Sequence, residues 1–138
     1  MHIPGHIIAQ LLSYLTLMKL VLAKQYSLNT FQFLALLLVG NKKGTTIKGL
    51  KRELSLPGSS LTFIIDSLEK KRLIRRRRSK EDRRQWLLFL TAKGKRLYME
   101  ILEAEGEMIR PALENLSETE KATFLKIAEE VIKTRTTK

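Results

Sequence analysis

Apolar residues crowd the first forty positions of the chain and then give way to shorter, periodic blocks. From about Ile7 to Gln25 they cover most of a helix circumference, broken by Gln10, Ser13, Thr16 and Lys19. That is more apolar surface than a helix resting on one small core needs, and burial against a second copy of the chain accounts for it. The run is short for a membrane span, and no Lys or Arg precedes it as in a signal peptide. It therefore reads as a helix packed on protein, with no membrane role. A second helix is expected over about Thr30 to Val39, capped by Asn29 with Gln32 three residues on. Gly40 to Gly44 reads as a turn.

The next block changes character. A short helix, about Ile47 to Leu54, follows a Thr45/Thr46 cap and stops at Ser55-Leu56-Pro57-Gly58. A longer helix follows, about Ser59 to Arg72, in which Leu61, Ile64, Ile65 and Leu68 recur at helical spacing as one apolar stripe. Short helix, tight turn and longer amphipathic helix make the helix-turn-helix pattern. Residues 73–77 and 86–90 read as two strands around a charged loop, Arg78 to Gln85, which holds no apolar residue. Such a hairpin with a basic tip is a wing, and two strands alone are marginal, so it must pack on the helices. Thr91 can cap a long helix to about Ile109, which Pro111 should end or kink. Ser117 to Glu120 forms a capping box for a last helix, about Glu118 to Lys133. The expected order is α-α-α-α-β-β-α-α. The fold class is mainly α (α+β), a winged helix-turn-helix with helical regions at both ends.

Charge sharpens this picture. The chain of 138 residues carries a formal net charge of +12. Residues 41–84 hold fifteen Lys and Arg against five Asp and Glu, so they carry +10 of it, while residues 85–138 are neutral. A basic patch focused on the helix-turn-helix and its wing is the footprint of a polyanion binder.

Two segments resemble the MarR family of regulators. Asp82-Arg83-Arg84, followed by Leu90-Thr91-Ala92-Lys93-Gly94, is similar to that family's wing signature, an Asp-x-Arg and then a strand ending Leu-Thr-x-x-Gly. Upstream, Leu68 to Arg76 resembles the family's passage from recognition helix to wing. There the family usually has Gly where this chain has Arg72, which bears on how the helix ends. Lys51 likewise replaces a small residue common in the short helix. The match covers about residues 28–133. It implies a triangular homodimer on double-stranded DNA, with the recognition helix in a major groove and the wing in the neighbouring minor groove. It also implies a single domain over 1–138, with residues 28–91 as the DNA-binding module and residues 1–27 and 92–138 as the helical dimerisation region. Repression is common in the family, as is release from DNA by small phenolic or other lipophilic ligands.

On this resemblance Ser59, Ser60, Thr62 and Phe63 lie where a recognition helix meets DNA. Hydroxyls suit phosphates and base edges, and Phe63 suits a thymine methyl; the alternatives are helix capping for the serines and core packing for Phe63. Arg84 falls at the wing tip, where a guanidinium fits a narrow minor groove. Asp82 would orient Arg84 through a bidentate pair rather than face phosphate. Arg77, Arg78, Lys80 and Arg83 are expected backbone contacts. Tyr14, Met18 and Phe33 are candidates to line an effector pocket, against the ordinary reading as core.

Other chemistries find little support. The chain has no cysteine, which removes disulfides, thiolate metal sites and thiol redox sensing, and fits a reducing cytoplasm. His2 and His6 stand four apart with no Cys or acidic cluster beside them in sequence, so no metal site is expected. No phosphate-cradling glycine loop or catalytic spacing is apparent, so neither enzyme activity nor a cofactor is expected. The alternatives to a sequence-specific regulator are a nonspecific architectural DNA protein and a protein-binding winged helix.

Overall fold

In the computed structural model, which describes residues 1–136, the N-terminal apolar run forms α1 (Gly5–Gln25). It starts earlier than the pattern indicates. At 21 residues it is long and apolar enough to cross a membrane by length and composition, so the expectation that it is too short for a span does not hold. Within the chain only Leu22 and Ala23 of this helix are buried, and Ile7, Leu11, Leu12, Leu15, Leu17 and Val21 are exposed. Ser27 stops the helix in the left-handed conformation, with its N–H on the Lys24 carbonyl and the Leu28 N–H on that of Ala23.

Helix α2 (Thr30–Asn41) begins at the expected capping box: Asn29 Oδ1 accepts from the Gln32 N–H at 2.8 Å, and Gln32 Oε1 accepts from the Asn29 N–H at 2.9 Å. It runs through Gly40 and Asn41, where the sequence predicts a turn. The reason is tertiary. A Cβ on Gly40 would lie 2.5 Å from the Tyr98 ring, so glycine is what allows that ring to pack there. The Tyr98 hydroxyl then donates to Asn41 Oδ1 at 2.6 Å.

A two-residue strand follows, β1 (Thr45–Thr46), which sequence reasoning missed. The element order is therefore α-α-β-α-α-β-β-α-α. Thr46 caps α3 (Ile47–Leu54) by accepting from the Gly49 N–H. Ser55 ends α3 at φ 53°. Helix α4 (Gly58–Lys70) buries the expected stripe, Leu61, Ile64, Ile65 and Leu68. It stops two residues short of the expected end, because Arg72 adopts φ 60° and turns the chain out of the helix. Strands β2 (Ile74–Arg78) and β3 (Trp86–Leu90) pair antiparallel, with Ile74 opposite Leu90 and Arg78 opposite Trp86. β1 adds to the far edge of β3, Thr45 opposite Leu88, giving the order β1-β3-β2. The third strand and the helices beneath supply the support that a bare hairpin lacks.

Phe33, Leu36, Leu50, Leu61, Ile65, Leu68, Leu88 and Ile101 are fully buried, one core drawn from α2, α3, α4, β3 and the helix that follows β3. Each such side chain stabilises by roughly 1.5–3 kcal/mol relative to exposure. Helix α5 (Ala92–Leu113) starts at Thr91, whose Oγ1 accepts from the Gly94 N–H at 2.9 Å and donates to the Arg72 carbonyl at 2.6 Å. Gly94 sits against backbone: a Cβ there would be 2.0 Å from the Leu73 carbonyl oxygen. This contact is the physical content of the Leu-Thr-x-x-Gly signature. Pro111 does not end the helix, which continues to Leu113.

The contacts divide the chain into two compact units, Met1–Ala104 and a second that begins at Glu105. The second holds the end of α5 and then α6 (Glu118–Thr136). Its Ser117–Glu120 capping box forms as expected. Phe124, Leu125, Ile127, Val131 and Ile132 of α6 are exposed. Residues 137–138, part of the expected dimerisation region, lie outside the described residues.

Candidate nucleic-acid interface

Helix α4 turns its apolar stripe inward, which fixes what its other face presents. Ser59, Ser60, Thr62 and Phe63 are all exposed. The residue capping α4 is Pro57, and no side chain bonds to the cap, so the serine hydroxyls are not used for capping. The Thr62 hydroxyl donates to the Gly58 carbonyl at 3.0 Å. Phe63 is 73% exposed and takes no part in the core. Further along, Gln32 of α2 donates to the Ser67 hydroxyl at 2.8 Å, which braces α4 on α2.

The wing loop is pinned at several points. The Ser79 N–H donates to the Gln85 carbonyl at 3.0 Å, and the Gln85 N–H to the Asp82 carbonyl at 2.9 Å. The buried Ser79 hydroxyl accepts from the Asp82 N–H at 3.2 Å. Asp82 Oδ1 accepts twice from Arg84, from its backbone N–H at 3.1 Å and from Nε at 3.2 Å. Asp82 thus holds Arg84 as expected, but not by a bidentate pair: one carboxylate oxygen takes both bonds, because the residues are two apart and the backbone N–H reaches first. The Arg84 side chain remains 91% exposed, and a pair this exposed is worth roughly 0–1 kcal/mol to stability.

Two arginines expected on the backbone contact set are also occupied within the wing. The Arg78 guanidinium lies 4.2 Å from the centroid of Trp86, its cross-strand partner, and donates to the Arg83 carbonyl at 2.6 Å. That of Arg77 lies 4.8 Å from the centroid of Phe89, on the opposite face of the hairpin. Lys80 and the Arg83 side chain stand exposed at the tip. Sequence reasoning missed Arg76, whose guanidinium pairs with both Asp66 and Glu69 of α4. The signal was present in two acids three apart on the helix and an arginine at an inward position of β2. Arg76 joins the wing to α4 and offsets part of the negative charge of the two carboxylates that α4 would otherwise bring to a polyanion.

The effector candidates separate. Phe33 is fully buried in the core, Tyr14 is exposed, and Met18 is half-buried, on α1. Lys19 sits over the Phe33 ring, 5.5 Å from its centroid. An open cavity of about 560 Å³ lies elsewhere, lined by Phe31, Ser59, Ser60 and Phe63 among others.

A short helix, a turn, a longer helix with a polar outer face and a braced basic hairpin define a winged helix-turn-helix protein. The MarR family model matches residues 28–86. The chain is 35% identical over 78 residues to an organic hydroperoxide resistance transcriptional regulator of Bacillus subtilis (strain 168), covering 56% of this chain and 53% of the relative. It is 30% identical over 96 residues to the HTH-type transcriptional regulator MhqR of the same strain, covering 70% and 66%. The chain thus spans about half the length of the former. Among solved structures, a mutant MepR from a multidrug resistant S. aureus clinical isolate superposes with TM-score 0.81 at 20% identity, over 97% of this chain and 99% of that one. A MarR family regulator from Listeria monocytogenes, solved in complex with a 26-mer DNA, gives 0.76 at 24% identity over 97% and 89%. At such identities the structures establish the fold. The chain belongs to the MarR family of transcriptional regulators, a family of non-enzymatic proteins.

Proposed function

We propose that this protein is a sequence-specific DNA-binding transcriptional regulator of the cytoplasm, a repressor that binds a pseudo-palindromic operator as a homodimer and is released by a small lipophilic or phenolic ligand. In this reading residues 28–91 are the DNA-binding module of a single domain, and residues 1–27 and 92–138 form the dimerisation region. The exposed apolar faces of α1 and of α6 are what a second copy would cover. The observation that carries the reading is the wing: Arg84 projects into solvent from a pinned loop, held by a carboxylate whose charge alone would oppose DNA. Half-sites would lie about 10–10.5 bp apart, or a multiple of that. The Listeria relative bound to DNA supports the same use of the fold.

The test is the sign of the Asp82→Ala effect. If the wing acts only as a basic surface, removing a negative charge tightens binding. If Asp82 orients Arg84, removing it loosens binding. Fluorescence-anisotropy titrations of Asp82→Ala and Arg84→Ala on a selected operator and on scrambled DNA, at two salt concentrations, separate the two. Arg84→Ala is expected to lose about 1–3 kcal/mol on operator. Tighter operator binding by Asp82→Ala overturns the orienting role. Equal affinity of the parent for operator and scrambled DNA would favour the nonspecific architectural protein instead.

A further inference from the structure

On the outer face of α4, base recognition has few means. Bidentate reading of guanine takes Arg or Lys, and of adenine Asn or Gln. Of these four α4 holds only Lys70, its last residue; the stretch from Gly58 to Glu69, which presents Ser59, Ser60, Thr62 and Phe63, holds none. Its two carboxylates, Asp66 and Glu69, which could accept from cytosine, are both engaged by Arg76. What remains is the hydroxyls of Ser59, Ser60 and Thr62, which bond to several bases and to phosphate alike, and one phenyl ring.

That ring stands in water without an intramolecular reason. Phe63 is 73% exposed while Leu61, Ile64, Ile65 and Leu68 of the same helix are buried. Phe31, in the first turn of α2, is 43% exposed, and both rings border the same open cavity, whose lining includes Ser59, Ser60 and Ile64 and no charged side chain. The segment that carries the ring is basic: residues 41–84, which hold α4 and the wing with its exposed Lys80 and Arg84, have a net charge of +10 and complement a nucleic acid backbone. An exposed apolar ring on the helix of a basic segment fits the one apolar feature of the major groove, the thymine 5-methyl group.

We propose that Phe63 is the specificity-determining residue of the recognition helix and selects thymine by contact with its 5-methyl group. The proposal rests on the DNA-binding reading above and deepens it. Sequence choice by α4 would then come from apolar contact, and the hydroxyls around it would fix the helix on the backbone.

The experiment needs an operator selected from random-sequence duplexes with the full-length parent protein. Each thymine of a half-site is then replaced singly by deoxyuridine, which removes the methyl and keeps every hydrogen-bonding group. For the parent, one substitution is expected to weaken binding about four-fold, the effect of uncovering one methyl. For Phe63→Ala the same duplex and its thymine counterpart should bind alike, and Phe63→Leu should retain part of the difference. The residue is exposed, so neither variant should disturb the fold, and the deoxyuridine scan on the parent needs no variant. Tight operator binding that is indifferent to every deoxyuridine overturns the proposal and leaves the DNA-binding reading intact. So does a methyl effect that survives in Phe63→Ala. A parent that binds no duplex overturns both.

Discussion

Replacing Arg72 by glycine is expected to stabilise the protein, although it removes a residue from the basic segment. Helix α4 ends at Lys70, and Arg72 follows at φ 60°. Its N–H bonds to the Glu69 carbonyl at 2.9 Å, and the Leu73 N–H bonds to the Leu68 carbonyl at 3.0 Å. Those two bonds, with Leu68 and Leu73 both buried, form a Schellman ending whose left-handed position favours glycine. For an L-residue that conformation costs roughly 1–2 kcal/mol. Glycine removes this cost but loses more backbone freedom on folding, which offsets roughly 0.5–1 kcal/mol. Both hydrogen bonds are backbone bonds and survive the change, and the Arg72 side chain is exposed. The net gain should be about 0.5–1 kcal/mol, a rise in Tm of a few degrees, about 2–5 °C for a chain of this size. Urea unfolding at one fixed protein concentration measures it, because self-association would otherwise alter the apparent stability. Arg72→Ala is the control: it removes the same charge and retains the Cβ, so it should show no gain. If the glycine variant is no more stable than the alanine variant, the backbone strain at this position is absent.

The remaining expectations concern packing, the wing and assembly. Gly94→Ala places a methyl 2.0 Å from the Leu73 carbonyl oxygen, so it should destabilise by more than about 3 kcal/mol; a variant that unfolds at the parent's urea midpoint contradicts this. Arg78→Lys keeps the charge but not the planar group that both covers Trp86 and braces the Arg83 carbonyl. It should shift the emission of Trp86, the chain's single tryptophan, and weaken operator binding, whereas Lys80→Arg should do neither; unchanged fluorescence and affinity for Arg78→Lys would return Arg78 to the simple phosphate contacts. Sedimentation at micromolar concentration should give about twice 15.9 kDa, and a monomer there would remove both the homodimer and the palindromic operator.

Much of the fold is legible in the sequence because helix starts are local. The pairs Asn29–Gln32 and Ser117–Glu120 each satisfy N–H groups within three residues, as do Thr46 and Thr91 from their own helix starts. Such bonds depend on spacing alone, and so does the stripe from Leu61 to Leu68. The charge concentrated in residues 41–84 and the Asp82–Arg84 spacing are equally visible, and they locate the candidate interface without any tertiary contact.

Other features were decided only by contacts between distant parts of the chain. β1 is two residues long and shows no period; it exists because Thr45 and Thr46 meet the edge of β3. Gly40 and Asn41 look like a turn and stay helical because Tyr98 of α5 packs on one and bonds to the other. In the run Arg75 to Arg78 the sequence presents four equivalent cations. The strand's alternation and its register against β3 send Arg76 to Asp66 and Glu69, Arg77 to Phe89 and Arg78 to Trp86. Identical side chains acquire different roles because a long-range pairing fixes which face each one occupies, and such a pairing leaves no mark on the spacing of neighbouring residues.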